Sequence, residues 1–158
     1  MTNPNIMIVK APPLGLMRNF EPSDLDAITR IANDSMTEFY TSDIIYEIYL
    51  SWPSGIKVYQ SNDTILGFIA GSKYTRTEAR ILLFAVREGY RKMGIGSLLI
   101  DGFMNQCREE NFLSVRLEVR TDNHEAIKFY RKYNFSITHT LPSYYSDFSD
   151  ALLMWRML

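Results

Sequence analysis

Hydrophobic residues along this chain follow two spacings, one typical of buried strands and one typical of helices. Residues 81–86 form a short, wholly apolar run, which is typical of a buried strand. The apolar residues beyond it recur mainly at three- and four-residue steps, at Leu98, Leu99, Phe103 and Cys107. That spacing predicts a helix with these side chains on its inner face.

The same spacings recur over most of the chain. They predict strands at residues 16–20, 56–59, 65–70, 80–86, 115–120, 135–140 and 152–157. Helices are predicted from about residue 24, with Ser23 as the cap, and at residues 41–50, 94–109 and 124–133. Strands and helices interleaved in this way predict an α/β fold with a mixed, mainly antiparallel sheet flanked by helices.

Length and composition favour a single domain. We expect it to span residues 14–158, after a loose, proline-containing arm at residues 1–13. The formal net charge of −1 gives no electrostatic reason to expect nucleic acid or a membrane as a partner. Residues 6–16 are too short and too interrupted for a membrane span or signal peptide. We therefore expect a soluble cytoplasmic protein, either monomer or homodimer.

Cys107 is the only cysteine in the chain. A single cysteine excludes an intrachain disulfide and any cysteine-based metal cluster, and we predict no metal site. Because Cys107 falls on the predicted inner face of its helix, we expect it to pack in the core.

Residues 91–97, Arg-Lys-Met-Gly-Ile-Gly-Ser, lie between a predicted strand and a predicted helix. Glycines let the backbone approach a ligand closely, and the amides and dipole at a helix start favour an anion. The stretch therefore predicts a site for a phosphorylated cofactor. A Walker loop is excluded, because Gly-x-x-x-x-Gly-Lys-Ser/Thr does not occur.

The sequence does not match a dinucleotide-binding fingerprint either. Its third glycine would fall at Leu99, and residues 87–93 separate the strand from the first glycine. What remains is Arg-x-x-Gly-x-Gly after a strand ending in Val86, with Tyr90 before the arginine. This pattern resembles the acetyl-CoA loop of the GNAT N-acetyltransferase superfamily.

A second motif lies downstream. Leu117-Glu118-Val119-Arg120 is followed by Asn123, Ala126-Ile127, Phe129-Tyr130 and Asn134-Phe135. This order is similar to the RimI-type and archaeal N-terminal acetyltransferases, and the resemblance runs from about residue 16 to the end of the chain. It implies a GNAT-type fold with acetyl-CoA as cofactor.

The resemblance also implies which residues bind the cofactor. The pyrophosphate would lie on backbone amides of the loop, with added charge from Arg91 or Lys92. The loop residues are Arg91, Lys92, Met93, Gly94, Ile95, Gly96 and Ser97. Backbone groups of Phe84, Ala85 and Val86 would hold the pantetheine arm and acetyl carbonyl. Asn123 is either a helix-start residue or a cofactor contact, and the two roles are compatible.

Two side chains are candidates for catalysis. By the resemblance, Glu118 is the general base, and strand alternation directs it away from its neighbours Leu117 and Val119. Tyr130 falls where the family places its general acid. Without the resemblance, Glu118 would be read as a solvent-facing acid. Tyr130 would likewise be read as packing on one helix face.

The sequence gives a weaker signal for the residues that bind the acceptor. Glu38, Tyr40, Tyr144 and Tyr145 would line a peptide site, since aromatic walls with a few polar tips suit an N-terminal residue. Arg80 stands where some archaeal relatives carry a histidine, so we expect Glu118 and Glu38 to act without a histidine relay.

Basicity favours an N-terminal acceptor over lysine. With pKa values near 8 and 10.4, roughly a tenth of α-amines but only about one lysine in a few thousand are free base at pH 7. The predicted activity is therefore acetyl transfer from acetyl-CoA to a protein or peptide N-terminus. The alternatives are a small amine such as a polyamine or antibiotic, a lysine side chain, or a non-catalytic acyl-CoA sensor.

Overall fold

A seven-stranded sheet runs through the structure, a computed structural model in which residues 11–158 are described. Its strands are β1 (Leu16–Asn19), β2 (Ile56–Ser61), β3 (Thr64–Lys73), β4 (Glu78–Val86), β5 (Ser114–Arg120), β6 (Ser136–Leu141) and β7 (Ala151–Met157). Their order is β1-β2-β3-β4-β5-β7-β6. Only the β4–β5 pair is parallel among the described strands, so the predicted mixed, mainly antiparallel sheet is confirmed.

Helices cover both faces of this sheet. They are α1 (Leu25–Ser35), α2 (Ser42–Ser51), α3 (Ile95–Glu109) and α4 (His124–Lys132). The apolar stripes of α1 and α2 pack on one face, in a core that includes Ile28, Ile45 and Phe68. Those of α3 and α4 pack on the other, in a core that includes Phe103 and Ile127. The predicted α/β fold is confirmed, with helix and strand bounds close to those expected.

Two local predictions are wrong. Ser23 does not cap α1, because residues 22–24 form a 3-10 turn and the N-cap position falls on Asp24. The Asp24 carboxylate instead accepts from the backbone N–H of Glu21 at 2.8 Å. Leu98 does not face the core of α3 but is 43% exposed, whereas Leu99, Phe103 and Cys107 are fully buried.

A β-bulge interrupts β4 at Leu82. Ala70 of β3 lies opposite Leu83, and the next residue, Gly71, lies opposite Ile81, so Leu82 has no partner in the ladder. A bulge shifts the alternation of side chains by one residue. Accordingly, Ala79 and Ile81 contribute to the α3–α4 core, while Leu83 and Ala85 contribute to the α1–α2 core.

The parallel ladder between β4 and β5 ends at the same place. It runs from the pair Glu78–Ser114 to the pair Ile81–Leu117. Beyond it β4 continues to Val86, paired with β3 alone. The edge of β4 at residues 82–86 therefore faces a gap in the sheet instead of a neighbouring strand.

The start of the described chain lies against the sheet. The Tyr59 hydroxyl donates to the carbonyl of Pro13 at 2.6 Å, and the Ser61 hydroxyl donates to that of Leu14 at 2.8 Å. Most of the predicted arm, residues 1–10, lies outside the described residues. Within residues 11–158, no helix is long and apolar enough to cross a membrane.

Candidate active site

A cavity of about 420 Å³ lies at the gap between β4 and β5. Its walls come from both strands, from the start of α4, and from two connections that we call the acceptor loops, because they carry the residues expected from the sequence to line the acceptor side. These are residues 36–41, between α1 and α2, and residues 142–150, between β6 and β7. Predicted site residues in the wall are Glu38, Tyr40, Phe84, Glu118, Asn123, Tyr130, Tyr144 and Tyr145.

The gap joins the two faces of the sheet. Leu117 and Val119 belong to the α3–α4 core, so strand alternation directs Glu118 to the opposite face. Tyr130 projects from α4 within the α3–α4 core. Both side chains line the cavity. A carboxylate from one face and a phenol from the other therefore reach the same space.

Two guanidinium groups hold the Glu118 carboxylate. Arg80 Nε lies 2.9 Å from Glu118 Oε2, and Arg116 Nη2 lies 3.1 Å from Glu118 Oε1. The Glu118 side chain is only 7% exposed, so solvent screens these pairs weakly. Arg80 also donates to the Tyr144 hydroxyl at 2.8 Å. Arg80 thereby links the candidate base on β5 to the second acceptor loop.

Tyr130 sits in an aromatic cluster. Its ring packs against Phe84, Phe129 and Phe135 at centroid distances of 6.3, 5.6 and 5.7 Å. Burial raises the pKa of its phenol well above the ordinary value for tyrosine. No hydrogen bond joins its hydroxyl to another group within residues 11–158. The phenol is thus protonated at neutral pH.

Polar contacts shape the acceptor side of the cavity. The Glu38 carboxylate accepts from Arg120 at 3.2 Å and from the Ser146 hydroxyl at 2.8 Å. The backbone of Tyr40 is held by the Asn33 side-chain amide through two hydrogen bonds, of 2.7 and 2.8 Å. Burial raises the pKa of the Tyr40 phenol. Glu38 is therefore paired with Arg120 and Ser146, and the expectation that it assists Glu118 stays a prediction.

A glycine loop, residues 87–94, joins β4 to α3. Gly94 is the N-cap of α3 and has a φ of 92°, and Lys92 has a φ of 60°. Positive φ at the cap turns the chain so that α3 begins at Ile95 with its first amides unpaired within the helix. Gly94 at the end of the loop is exposed, whereas Ile95, the first residue of α3, is buried.

The two basic residues of this loop have different surroundings. Arg91 Nε donates to the carbonyl of Val86 at 2.9 Å, and its Nη2 lies 3.3 Å from the Ser35 hydroxyl. Arg91 therefore braces the loop against β4 and α1. Lys92 is largely exposed and lies 3.6 Å from Glu125, a pair that solvent weakens. The Lys92 ammonium is thus the more accessible of the two cations.

The glycine loop and the free edge of β4 carry backbone groups of the kind that a phosphorylated, extended ligand needs. The first amides of α3 suit an anion, and the free edge of β4 offers backbone groups to a chain-like arm. At Gly96, a Cβ would lie 3.5 Å from Phe84 and 3.7 Å from Phe129, so both rings border this glycine. Asn123 caps α4, accepting from the Ala126 amide at 3.2 Å, and it also lines the cavity.

The comparisons with known proteins agree with this geometry. Residues 25–135 match the model of the Acetyltransferase (GNAT) family. The chain belongs to the GNAT acetyltransferase family. It is an N-acetyltransferase, and the enzymes of this family use acetyl-CoA as acetyl donor. The predicted enzyme class, family and cofactor are therefore confirmed.

Three relatives place this acetyltransferase within the family. Ard1 from Thermoplasma volcanium is 56% identical, with a TM-score of 0.89 over 91% of this chain and 97% of that chain. The N-alpha-acetyltransferase of Sulfolobus acidocaldarius is 30% identical over 84% of this chain and 86% of its own length. The putative ribosomal protein bS18-alanine N-acetyltransferase of Bacillus subtilis is 29% identical, over 88% and 93% respectively.

Sequence reasoning missed several residues that shape the site. The sequence marks Arg80 only as a replacement for histidine and Arg120 only as the end of the Leu-Glu-Val-Arg string, and it gives no sign of Arg116, Ser146 or Asp147. Arginine on a strand carries no signal of its partner, because the partner depends on strand register and loop placement.

Among residues 11–158, no group of three or more histidine, cysteine or acidic side chains is arranged to hold a metal ion.

Proposed function

We propose that this acetyltransferase acetylates the α-amine of protein or peptide N-termini, with Glu118 as general base and Tyr130 as general acid. The observation that carries this proposal is the position of the two side chains, which enter one cavity from opposite faces of the sheet. The relatives named as N-alpha- and ribosomal-protein-alanine acetyltransferases support the same acceptor.

The residues that would hold acetyl-CoA lie on the α4 side of the gap. Backbone amides of residues 92–97 would bind the pyrophosphate, and Lys92 adds positive charge. Main-chain groups of Phe84 and Ala85 are offered along the free edge of β4, while the Val86 carbonyl already accepts from Arg91. When bound, acetyl-CoA supplies the thioester whose acetyl group is transferred.

Glu118 would take the proton that the acceptor amine loses. Each of its carboxylate oxygens has one guanidinium partner and a second lone-pair direction that remains available. The guanidinium groups fix the orientation of the carboxylate, so these lone-pair directions are held in the cavity. Because an α-amine is about a tenth free base at pH 7, a moderate base is sufficient.

Tyr130 would donate its hydroxyl proton to the departing sulfur. Burial keeps the phenol protonated at neutral pH, and the hydroxyl is not engaged by another group of the described chain. A positioned donor of this kind contributes typically 10²- to 10⁴-fold to a rate. The proton lost by the amine and the proton gained by the sulfur thus pass through different side chains.

The charges of the cavity wall favour an N-terminal α-amine over a polyamine or lysine-rich acceptor. The two carboxylates that line the cavity, Glu38 and Glu118, are both paired with arginines. A polyamine or lysine-rich acceptor gains little from carboxylates already neutralised in this way. An N-terminal residue carries one amine, and apolar and aromatic walls such as Met36 and Tyr40 suit its side chain.

A peptide panel tests the acceptor. Short peptides that differ in their first residue are assayed for acetyl-CoA-dependent CoA release, beside spermidine and a lysine peptide with a blocked N-terminus. The matched control is each active peptide with its own α-amine blocked. We expect acetylation at the α-amine only, located by fragment mass. Turnover of spermidine alone would contradict the proposal.

The expected cytoplasmic location and oligomeric state stay predictions.

A further inference from the structure

Arg120 lies where the two acceptor loops meet. It is the last residue of β5, two positions after Glu118, and its side chain is 16% exposed. Its Nη2 lies 3.2 Å from Glu38 in the first acceptor loop, and its Nη1 contacts both carboxylate oxygens of Asp147 in the second, at 3.0 and 3.2 Å. One planar guanidinium therefore reaches both loops at once.

Further contacts gather around the same group. The Tyr145 ring lies against Arg120, with the guanidinium carbon 4.1 Å from the ring centroid. The Ser146 hydroxyl donates to Glu38 at 2.8 Å, so the loops also touch each other directly. Tyr144 and Tyr145 pack edge to face at 5.1 Å. Arg120 therefore contacts Tyr145 directly and Tyr144 only through the Tyr145 ring.

The second acceptor loop has few other anchors. Seven of its nine residues are exposed, with Tyr145 and Ser149 the exceptions. Its remaining hydrogen bonds are mostly internal, such as the Tyr145 amide to the Ser149 carbonyl at 3.1 Å. A loop with little apolar burial owes its position to its polar contacts. Beyond Arg120, the described ties of its side chains are Tyr144 to Arg80 and Ser146 to Glu38.

We propose that Arg120 is the positioning residue of the acceptor site, a latch that holds both acceptor loops in the arrangement that binds the acceptor's first residues. Arg120 takes no part in proton transfer, which falls to Glu118 and Tyr130. The latch governs acceptor binding and leaves cofactor binding unchanged, because its contacts lie on the acceptor loops. The kinetic consequence rests on the proposed function, whereas the effect on loop order does not.

The test compares Arg120→Gln, Arg120→Lys and Asp147→Asn with the wild type. Arg108→Gln on α3 is the matched control, since the Arg108 side chain hydrogen-bonds only to Asn105 within the described chain, at 3.2 Å. We expect Arg120→Gln to raise the acceptor-peptide KM about 10-fold while kcat and the acetyl-CoA KM stay within about 2-fold. We expect a smaller increase in KM for Arg120→Lys, because lysine keeps the positive charge. The increase does not vanish, because an ammonium cannot bridge two carboxylates as a guanidinium does.

Hydrogen exchange supplies a readout that needs no acceptor. The amides of Ser143, Tyr145, Phe148 and Ser149 are hydrogen-bonded within the second acceptor loop. We expect them to exchange at least about 10-fold faster in Arg120→Gln, while amides of the central strands are unchanged. If Arg120→Gln does not fold, Asp147→Asn carries the test, because Asp147 is exposed and lies in the loop.

The outcomes separate the two proposals. Unchanged loop exchange in both Arg120→Gln and Asp147→Asn overturns the latch, as does a fall in kcat with the peptide KM unchanged. Equal increases in the KM of peptide and acetyl-CoA overturn it too. If the wild type acetylates no peptide, the proposed function fails, and the exchange measurement still decides the latch.

Discussion

The Glu118 carboxylate is held on both of its oxygens. Its ion pairs with Arg80 and Arg116 fix the orientation of the carboxylate. Each oxygen keeps a second lone-pair direction, which on the proposed assignment accepts the proton of the acceptor amine. A single carboxylate base suits an acceptor that is already partly deprotonated. An α-amine meets that condition and a lysine does not.

Replacing Glu118 by Gln separates base catalysis from binding. We expect kcat to fall about 10²- to 10⁴-fold with the acceptor KM within a few-fold, because the amide has nearly the same shape but cannot take the proton. Steady-state kinetics with an active peptide measure the change. Glu109→Gln on the exposed side of α3 is the control. Wild-type kcat in Glu118→Gln would contradict the assignment.

The residues around Glu118 show where sequence reasoning ends. Glu118 and Tyr130 could be named from a motif, since each lies in a local string with a recognisable order. The contact between Arg80 and Glu118 could not, because it depends on the parallel register that sets Arg80 opposite Arg116. Register across strands distant in sequence is fixed by the whole sheet, including the bulge at Leu82.

Strand β4 and the glycine loop illustrate the same limit. The apolar run predicts one continuous strand, and its bounds are close to those observed. The extra residue at Leu82 leaves no mark in that run, because every neighbouring residue is apolar and either face suits it. By contrast, the turn into α3 was predictable, since Gly94 stands at the point where the backbone needs a positive φ.

Gly94 and Gly96 make a matched pair for testing this turn. Gly94→Ala places a side chain at a φ of 92°, and we expect it to lower the free energy of unfolding by about 1 kcal/mol. A Cβ at Gly96 meets only ordinary van der Waals contacts, so Gly96→Ala should change the free energy of unfolding by no more than about 0.5 kcal/mol. Urea unfolding measures both, and equal losses would contradict the role of backbone conformation.

Across the molecule, the fold was predictable because each face of the sheet has its own apolar helices. The buried ammonium of Lys57 does not fit that apolar pattern. Lys57 lies on β2 and is 6% exposed, and its ammonium donates to the side chains of Asn19 on β1 and Gln106 on α3. Its partners are amides, so no carboxylate contacts this ammonium among the described residues. Burial therefore lowers the pKa of Lys57.

This burial predicts a pH dependence of stability. A folded-state pKa below the unfolded value means that the unfolded chain binds more protons as the pH approaches 10.5 from below. The free energy of unfolding contributed by Lys57 therefore rises with pH between these two pKa values. Lys57→Met should remove that rise, measured by urea unfolding from pH 7 to pH 10. Lys128→Met, at an exposed position on α4, should keep it.

The gap at Leu82 has a kinetic consequence. On the proposed assignment, the acceptor reaches the gap from the side of the acceptor loops, and the donor reaches it from the side of α3 and α4. Neither reactant blocks the entrance of the other, so both are present together when the acetyl group moves. We therefore expect turnover to proceed by a sequential mechanism through a ternary complex, without an acetylated form of the protein between the two substrates.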